Sequence, residues 1–510
     1  MKKVAVLDFG SQYTQLIARK VRELGVYSEI FPFKASLSKL RKEAPSALIL
    51  SGGPQSVYQQ GAPVVSKEIF ELGIPLLGIC YGLQLMAYLL GGKVAPSKKR
   101  EYGFASLSIL DKRGLLSGMK NESQVWMSHG DRVENVPPGF IVSGMTADCK
   151  AAVVEDRKRK LFGVQFHPEV VHTPQGKKVL ANFLFSISGL EPEWRMESFI
   201  RQKVNEMRNR LRGEKVICGL SGGVDSLVTS LLVHRAVGKK LFCIFVDNGL
   251  LRKGQYEELM KKFRTTLALN VIGVAASRVF LEKLKGVTSP ERKRRIIGET
   301  FIRIFEQEAK KIGDVKFLAQ GTIYPDVIES RPVKGPSSSI KSHHNVGGLP
   351  PRLPFKLIEP LKELFKDEVR VIAEELGVEK EFILQHPFPG PGLAVRVVGE
   401  VTQERIELLR EADEIILEEV RRAGLYHRLW QAFGVLLPVK SVGVMGDKRT
   451  YQSVVVVRLV QSMDGMTAGW YPAQPDLLSR ISNRIVNEVE GVNRVVYDVT
   501  SKPPGTIEWE

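Results

Sequence analysis

The sequence predicts an α/β protein in which two parallel-sheet α/β domains are followed by a smaller α+β domain at the C-terminal end. Three observations lead to this fold class. Strand-like and helix-like patterns alternate up to about residue 190, and the alternation then restarts and runs to about residue 385. A stretch rich in proline and glycine, "QHPFPGPGLAVRV" at 385–397, separates the second region from a helix and several β-rich runs.

The first region, residues 1–190, has the pattern of an open parallel sheet. "KKVAVLDF" predicts a strand, and "TQLIARKVRELG" predicts an amphipathic helix that ends at Gly25. "SALILSGGP" and "PLLGICYG" predict two further strands that end in glycine turns. Because the sites of such sheets form at the carboxyl ends of the strands, these turns are candidate sites.

The second region, residues 191–385, begins with a helix, "FIRQKVNEMRNRLRG". Four strands follow in alternation with helices, namely "KVICGLSGG", "KLFCIFVDNG", "LNVIGVAA" and "VKFLAQGT". The polar stretch at 334–348 predicts a mobile loop. The third region, residues 386–510, combines the helix "ERIELLREADEIILEEVRRAG" with the β-rich runs "SVVVVRLV" and "RVVYDVT", which predicts a small α+β domain.

Composition narrows the class of protein. The four cysteines do not form a disulfide framework or a paired metal motif, which favours a reducing cytoplasm; they are Cys80, Cys149, Cys218 and Cys243. No apolar run has the length of a membrane span, so we expect no membrane association. The net charge of +18 fits a lysine-rich surface with sites for anionic small molecules, and we expect no nucleic-acid partner.

The turn after "PLLGIC" is a candidate catalytic centre. Cys80 lies between an apolar strand and an apolar helix, in the sequence Gly-Ile-Cys-Tyr-Gly, which is the cysteine counterpart of a nucleophile elbow. A thiolate nucleophile needs a base, and His167 follows an apolar strand with Glu169 two residues later. His129 and His172 are alternatives that the sequence leaves open, and a buried core cysteine is the simpler interpretation of Cys80.

The turn after "KVICGL" is a candidate phosphate site. Ser221-Gly222-Gly223-Val224-Asp225-Ser226 joins a strand to an apolar helix, but it lacks the lysine of a Walker-type loop. Backbone N–H groups, two hydroxyls and a helix N-terminus can still bind phosphate, and Asp225 can hold Mg²⁺ beside it. The simpler alternative is a glycine turn that only caps a helix.

The first region resembles the class I glutamine amidotransferases in three stretches, "GICYGLQLMA", "FGVQFHPEV" and "ILSGGPQSV". The resemblance implies that Cys80 attacks the side-chain amide of glutamine, that His167 relays the proton and that Glu169 orients His167. It also implies an oxyanion hole made by the N–H groups of Gly53 and Tyr81.

The second region resembles the N-type ATP pyrophosphatases, which cleave ATP between the α and β phosphates and transfer AMP to an oxygen. The resemblance implies an ATP site made of Ser221, Gly222, Gly223, Val224, Asp225, Ser226, Leu227 and Val246. Leu227 departs from many relatives, which have a serine there. The resemblance also places Asp326 and Glu329 in the adenylation site, although a helix cap is their simpler role. Lys341 would be a lid residue, and Lys366 would be a further phosphate contact.

Both halves together, with "HPFPGPGLAVRV", "AFGVLLPVKSVGVMGDKRTY" and "SKPPGTIEWE", resemble the glutamine-hydrolysing GMP synthetases over essentially the whole chain. The resemblance implies that glutamine, xanthosine monophosphate (XMP) and ATP are the substrates, with Mg²⁺, and that the third region forms a homodimer. It implies an XMP site made of Arg292, Gly390, Gly392, Gln431, Arg494, Lys502, Ile507 and Glu508. The alternatives are another adenylating amidotransferase, either similar to NAD synthetase or RNA-modifying, and a catalytically silent sensor.

Overall fold

The computed structural model describes residues 2–330, 354–445, 447–462, 465 and 467–510, and it leaves out the side chains of 98–100, 329–330 and 445. These residues form two compact units, one up to Phe199 and one from Ile200 onward. The predicted loop at 334–348 and the predicted lid residue Lys341 lie outside the described residues. No helix of the described part is long and apolar enough to cross a membrane.

The first unit contains one mixed sheet of nine strands within its described residues, in the order β2-β1-β3-β4-β9-β8-β7-β5-β6. The strands are β1 (Lys3–Asp8), β2 (Tyr27–Pro32), β3 (Ala47–Leu50), β4 (Leu76–Ile79), β5 (Lys93–Ile109), β6 (Glu122–Asn135), β7 (Ile141–Met145), β8 (Val153–Asp156) and β9 (Leu161–Val164). The first five strands in this order are parallel. The other four are antiparallel to their neighbours, an extension that the sequence analysis did not predict.

The helices of the first unit are α1 (Thr14–Glu23), α2 (Leu37–Glu43), α3 (Tyr81–Leu89) and α4 (Gly176–Ala181), with short 3₁₀ turns at Lys67–Glu71 and Gly114–Leu116 and a π turn at Asn182–Ile187. The central strands β3, β4 and β9 are buried along their whole length, as expected of strands covered on both faces. The sites at their carboxyl ends therefore rest on a rigid support.

The second unit begins within α5 (Met196–Leu211) and contains a five-stranded parallel sheet in the order β12-β11-β10-β13-β14. Its described strands are β10 (Lys215–Leu220), β11 (Leu241–Asp247), β12 (Val271–Ala275), β13 (Val315–Ala319) and β14 (Lys356–Ile358). Its helices are α6 (Val224–Val237), α7 (Gln255–Thr265), α8 (Ser277–Leu284), α9 (Pro290–Ile312), α10 (Tyr324–Ser330), α11 (Lys366–Glu375) and α12 (Lys380–Ile383), with a 3₁₀ turn at Gly238–Lys240.

The C-terminal part of the second unit has its own small sheet. Helix α13 (Gln403–Arg422) precedes β15 (Gln431–Met445), β16 (Lys448–Gln461), β17 (Gly469–Trp470), α14 (Pro475–Glu488) and β18 (Val492–Tyr497), with 3₁₀ turns at Gly392–Val395 and Tyr426–Arg428. Strand β16 pairs antiparallel with β15 and β17 and parallel with β18. This arrangement is the predicted α+β fold.

One hydrophobic core connects the two sheets of the second unit. It includes Ile217 and Ile244 of the parallel sheet together with Leu409 and Ile416 of α13 and Leu459 of β16. The parallel sheet, the C-terminal sheet and the overall α/β class agree with the fold class that the sequence predicts. The boundary between a second and a third domain at 385/386 stays a prediction, because the apolar side chains on both sides of it pack into the same core.

Candidate functional sites

Cys80 occupies a strained turn between β4 and α3. Its backbone has a φ of 53° and a ψ of −106°, a conformation that few residues with a side chain adopt. The glycines on either side allow the turn to pack closely. A Cβ at Gly82 would lie 2.4 Å from the carbonyl oxygen of Leu50, and one at Gly78 would lie 2.6 Å from the backbone nitrogen of Leu83. The geometry is that of a nucleophile elbow.

His167 and Glu169 form a buried pair next to this elbow. His167 Nδ1 lies 2.7 Å from Glu169 Oε1, and both residues are almost completely buried. Burial alone would lower the pKa of His167, but the charge of Glu169 and hydrogen bonds to Cys80 and Glu169 hold that pKa well above its usual range. The structure thus brings Cys80, His167 and Glu169 together.

The two alternative histidines have other partners. His129 Nε2 lies 3.1 Å from Glu101 Oε2, and its Nδ1 lies 2.9 Å from the carbonyl oxygen of Asp131. His172 is exposed and packs on the ring of Trp126, with the ring centres 4.5 Å apart. None of these three contacts involves the thiol of Cys80.

Two glutamine side chains near the thiol did not stand out in the sequence. Gln165 Nε2 donates to Cys80 Sγ at 3.6 Å, and Gln84 Nε2 donates to Gln165 Oε1 at 3.3 Å and to the carbonyl oxygen of Asp131 at 2.9 Å. The thiol itself donates to the carbonyl oxygen of Ser128 at 3.6 Å. Both glutamines lie within the stretches that carry the resemblance, but a neutral amide in an apolar run gives no chemical signal of its own.

Gly53 and Tyr81, the predicted oxyanion-hole residues, are neighbours in the structure. A Cβ at Gly53 would lie 3.1 Å from Tyr81 Cγ and 3.0 Å from the carbonyl oxygen of Phe9. The Tyr81 hydroxyl donates to the carbonyl oxygen of Pro63 at 2.8 Å, and burial raises the pKa of Tyr81. This hydrogen bond and the burial of the ring hold the Tyr81 side chain in place at the start of α3.

The predicted phosphate loop lies between β10 and α6, as expected. Gly222 has a φ of +82°, which glycine adopts readily. The Ser226 hydroxyl accepts from the N–H of Ser221 at 3.1 Å and donates to the carbonyl oxygen of Gly223 at 3.0 Å. These bonds fix the turn from inside, while Leu227 is fully buried in the core.

Asp225 stands at the first turn of α6. Its Oδ2 accepts from Lys366 Nζ at 2.6 Å, and its Oδ1 is buried without a hydrogen-bond partner among the described residues. Gly321 lies against the same turn, where a Cβ would be 2.9 Å from the carbonyl carbon of Asp225. Val246, which the resemblance places in the ATP site, is buried near the end of β11. One carboxylate oxygen is thus available here for a cation.

Of the two predicted adenylation-site carboxylates, the structure describes the side chain of one. Asp326 is buried, and its Oδ2 accepts from the N–H of Ile323 at 3.0 Å, a bond that supports the start of α10. This contact corresponds to the helix-cap alternative. The side chain of Glu329 lies outside the described part of the chain.

The predicted XMP residues fall into two groups. Gln431 and Glu508 meet, since Gln431 Nε2 donates to Glu508 Oε1 at 3.3 Å and to the carbonyl oxygen of Pro387 at 2.7 Å. Ile507, which precedes Glu508 in the chain, packs against the apolar side chains of β15 and β16. The partners that the structure shows for the predicted cations are other groups. Arg292 and Arg494 are exposed, and Arg494 Nε donates to Ser441 Oγ at 2.5 Å. Lys502 Nζ donates to the carbonyl oxygen of Gly465 at 2.6 Å.

The two predicted glycines differ in their surroundings. A Cβ at Gly392 would lie 2.4 Å from the carbonyl oxygen of Leu250, so the close approach at Gly392 is to the protein's own backbone. Gly390 is exposed and has open space where a Cβ would stand. Only Gly390 leaves room for a ligand.

Several buried cations near the C-terminus did not stand out in the sequence. Arg396 donates to both oxygens of Glu508 at 3.0 and 2.9 Å, and Lys293 contacts the carboxylate of Glu510. Arg458 donates to the carbonyl oxygens of three tail residues, Thr500, Thr506 and Ile507. An arginine within an apolar run, as in "GLAVRV", is the one signal that could have identified Arg396.

Known families match three segments of the chain. Residues 5–187 match the family described as "Glutamine amidotransferase class-I", residues 194–271 match "NAD synthase", and residues 418–509 match "GMP synthase C terminal domain".

The chain is also similar over its full length to proteins named "GMP synthase (glutamine-hydrolyzing)". The relative from Carboxydothermus hydrogenoformans is 56% identical over 508 residues, which cover 100% of this chain and 99% of that protein. The relative from Natranaerobius thermophilus is 55% identical over 507 residues, covering 99% of each chain. The relative from Aquifex aeolicus is 56% identical over 509 residues, covering 100% of this chain and 99% of that protein.

Proposed function

The chain belongs to the family of glutamine-hydrolysing GMP synthases, and we propose that its two units divide that family's reaction between the elbow at Cys80 and the loop at 221–226. The chain is a ligase that uses ATP and makes GMP with nitrogen from glutamine. The full-length relatives do not favour an NAD-synthetase-like or RNA-modifying alternative.

The first unit hydrolyses glutamine. Cys80 Sγ attacks the side-chain carbonyl carbon, while the N–H groups of Gly53 and Tyr81 stabilise the oxyanion. His167 delivers a proton to the amide nitrogen, and ammonia leaves. His167 then takes a proton from water, which hydrolyses the thioester to glutamate. Glu169 holds the imidazole ring in place and stabilises its cation through the 2.7 Å contact.

The second unit activates XMP. The C2 oxygen of XMP attacks the α-phosphate of ATP, pyrophosphate leaves, and ammonia then displaces AMP at C2 to give GMP. The N–H groups at the start of α6 and the hydroxyls of Ser221 and Ser226 bind the departing pyrophosphate. Val246 contacts the adenine through its backbone, and Lys366 contacts a phosphate. We propose that Gln431, Ile507 and Glu508 bind XMP together with the predicted cations Arg292, Arg494 and Lys502.

Asp225 is our candidate ligand for Mg²⁺. Its buried Oδ1 has no hydrogen-bond partner among the described residues, and Mg²⁺ bound to nucleotides commonly takes one or two carboxylates together with phosphate oxygens and water. When bound there, the ion would neutralise charge on the phosphates. Lys366 would balance the other oxygen of the same carboxylate.

We also propose that the chain forms a homodimer through the hairpin of β15 and β16, and that it acts in the cytoplasm. Four apolar side chains on this hairpin are exposed: Val439, Val442, Val444 and Tyr451. Contiguous exposed apolar patches usually mark an interface, and a second copy supplies the same surface in an isologous contact. The four free cysteines fit a reducing compartment.

The observation that supports the proposal most is the buried pair of His167 and Glu169 beside the strained elbow of Cys80. The test uses purified protein with Mg-ATP, XMP and either glutamine or ammonium chloride, with every phosphorus product identified. We expect AMP, pyrophosphate and GMP. The C80A variant should lose synthesis from glutamine and keep synthesis from ammonium.

A matched control for C80A is C149A, which removes another buried cysteine of the same unit. C149A should keep both activities. ADP and phosphate as products would show that the role assigned to the loop at 221–226 is wrong. Glutamine-dependent synthesis by C80A would show that Cys80 is not the nucleophile.

A further inference from the structure

Three buried cations bind the last residues of the chain to the rest of the second unit. Arg396 and Lys293 are completely buried, and Arg458 is 1% exposed. Burying a cation is costly unless carboxylates or several carbonyl oxygens surround it. Each of these cations contacts the tail at 498–510 in that way.

Arg458 and Lys293 contact different parts of the tail. Arg458 binds its backbone, through the carbonyl oxygens of Thr500, Thr506 and Ile507, and it pairs with Asp498 at 2.8 Å. Lys293 holds the side chain of Glu510 and donates to the carbonyl oxygens of Ala394 at 3.1 Å and Val397 at 2.7 Å. The path of the tail is therefore fixed on both sides of Glu508.

Arg396 has a different contact. Its Nε donates to Glu508 Oε2 at 3.0 Å and its Nη2 to Glu508 Oε1 at 2.9 Å, the two-pronged geometry that a lysine cannot reproduce. The guanidinium group itself lies over two aromatic rings, 4.1 Å from the centre of the Phe433 ring and 5.3 Å from the centre of the Phe388 ring. Arg396 thus donates hydrogen bonds to a side chain of the tail, that of Glu508, whereas Arg458 donates to the backbone of the tail.

We propose that Arg396 is a positioning residue for the XMP site: it fixes the orientation of the Glu508 carboxylate, and through it the amide of Gln431. This inference rests on the proposed role of Glu508 in XMP binding. Arg396 acts without touching the nucleotide itself. Gln431 completes the link, since its Nε2 donates both to Glu508 and to the carbonyl oxygen of Pro387.

The inference predicts that Arg396 and Glu508 act as one unit. In assays with ammonium as the nitrogen donor, R396K and E508Q should each raise the KM for XMP at least tenfold. The double variant should be no worse than E508Q alone, within about twofold, because contacts that act through one another are not additive. Glutamine hydrolysis and the KM for ATP should not change in any of these variants.

A matched control is R405K. Arg405 is a half-buried arginine at the start of α13, and it donates to the carbonyl oxygens of Val398 at 3.0 Å and Leu437 at 3.3 Å and does not contact Glu508. We expect its KM for XMP to stay within twofold of the unmodified protein. A similar rise for R405K and R396K would mean that Arg396 only supports the fold, and the proposal would be wrong.

A second variant tests the same idea with Arg396 intact. E508D keeps the charge but withdraws the carboxylate by one methylene group, so a positioning role predicts that E508D is as impaired as E508Q. A KM for XMP near the unmodified value in E508D would overturn the proposal. So would a rise in KM in the R396K/E508Q double variant equal to the product of the rises in the two single variants. If E508Q left the KM for XMP unchanged, the proposed role of Glu508 in XMP binding would be wrong. If E508Q raised this KM and R396K did not, only the proposed role of Arg396 would be wrong.

Discussion

Replacing Glu169 by glutamine should disable the glutaminase half while leaving the second unit active. The substitution keeps the size of the side chain and removes its charge. In the structure the carboxylate is 2.7 Å from His167 Nδ1 and both groups are buried, so solvent screens the interaction little. The variant therefore isolates the electrostatic part of the His167–Glu169 contact.

The magnitude follows from the geometry. Opposite unit charges 2.7 Å apart attract by about 6 kcal/mol at an effective dielectric constant of about 20. The glutamine amide can still accept a hydrogen bond, so we take about half of this, about 3 kcal/mol, as lost. Since about 1.4 kcal/mol corresponds to a factor of ten, kcat for glutamine hydrolysis should fall about a hundredfold.

The same substitution should change how His167 titrates. Burial lowers the pKa of His167, whereas the charge of Glu169 and the hydrogen bonds to Cys80 and Glu169 raise it well above its usual range. In E169Q the pKa should fall, which NMR of the imidazole signals can measure. Because the raised pKa belongs to the folded state, it stabilises the fold fully below the unfolded value near 6.5 and less as pH rises through the raised pKa. The stability lost in E169Q should therefore be greatest near pH 6.

The control is E155Q. Glu155 is also fully buried, and it pairs with Arg157 at 2.8 Å in the same unit but outside the elbow. E155Q should lower stability and leave kcat for glutamine hydrolysis within a few-fold. If E169Q kept kcat within threefold of the unmodified enzyme, or if its His167 still titrated at the raised pKa, the electrostatic reasoning would be refuted.

Three further predictions concern other parts of the chain. G82A should lower the free energy of unfolding by more than about 3 kcal/mol in denaturant titration, because its Cβ would lie 2.4 Å from the backbone oxygen of Leu50. K366M should raise the KM for ATP about tenfold in the ammonium-dependent assay, because it removes the charged group that pairs with Asp225 and that we propose to contact a phosphate. V444D should convert the proposed dimer to a monomer in sedimentation velocity, because it places a charge among the exposed apolar side chains of the β15–β16 hairpin.

Each of these has a control of the same chemical type. G469A adds a Cβ where the structure has open space, so equal destabilisation by both glycine variants would contradict the packing argument. K316M removes an exposed lysine that pairs with Glu214, and a matching rise in its KM for ATP would deny Lys366 a specific role. V279D places a charge on the exposed face of α8, and it should leave the oligomeric state unchanged. A dimeric V444D would locate the interface elsewhere.

Sequence patterns predicted the parts of the fold that depend on local apolar runs. Strands β1, β4 and β10 are such runs, because parallel strands are covered on both faces and must be apolar throughout. The antiparallel strands were not predicted because polar residues occupy some of their buried positions. Along β6, buried and exposed positions alternate, but the buried positions include His129 and Asp131, so the apolar period is broken where polar groups pair inside the protein.

In the candidate sites, too, the sequence predicted the features that depend on neighbouring residues and not the contacts between residues far apart in the chain. The elbow at Cys80 and the loop at 221–226 depend on neighbours in the chain, so their glycines and hydroxyls could be recognised from the sequence. Lys366 and Asp225 are 141 positions apart, and Arg396 and Glu508 are 112 apart. A charge in a sequence does not indicate which distant charge it will pair with, so these contacts required the structure.

The location of individual cations also required the structure. A charge of +18 predicts a basic surface only if the cations are solvated. Lys293, Arg396 and Arg458 instead lie inside the second unit and face the acidic end of the chain. These cations are paired with Glu508, Glu510 and Asp498 and with the tail carbonyl oxygens, so the tail supplies the groups that compensate the buried charges. Part of the positive charge thus serves to place the residues proposed to bind XMP, and shape-matched apolar substitutions at these cations should loosen the tail before they affect the sheet beneath it.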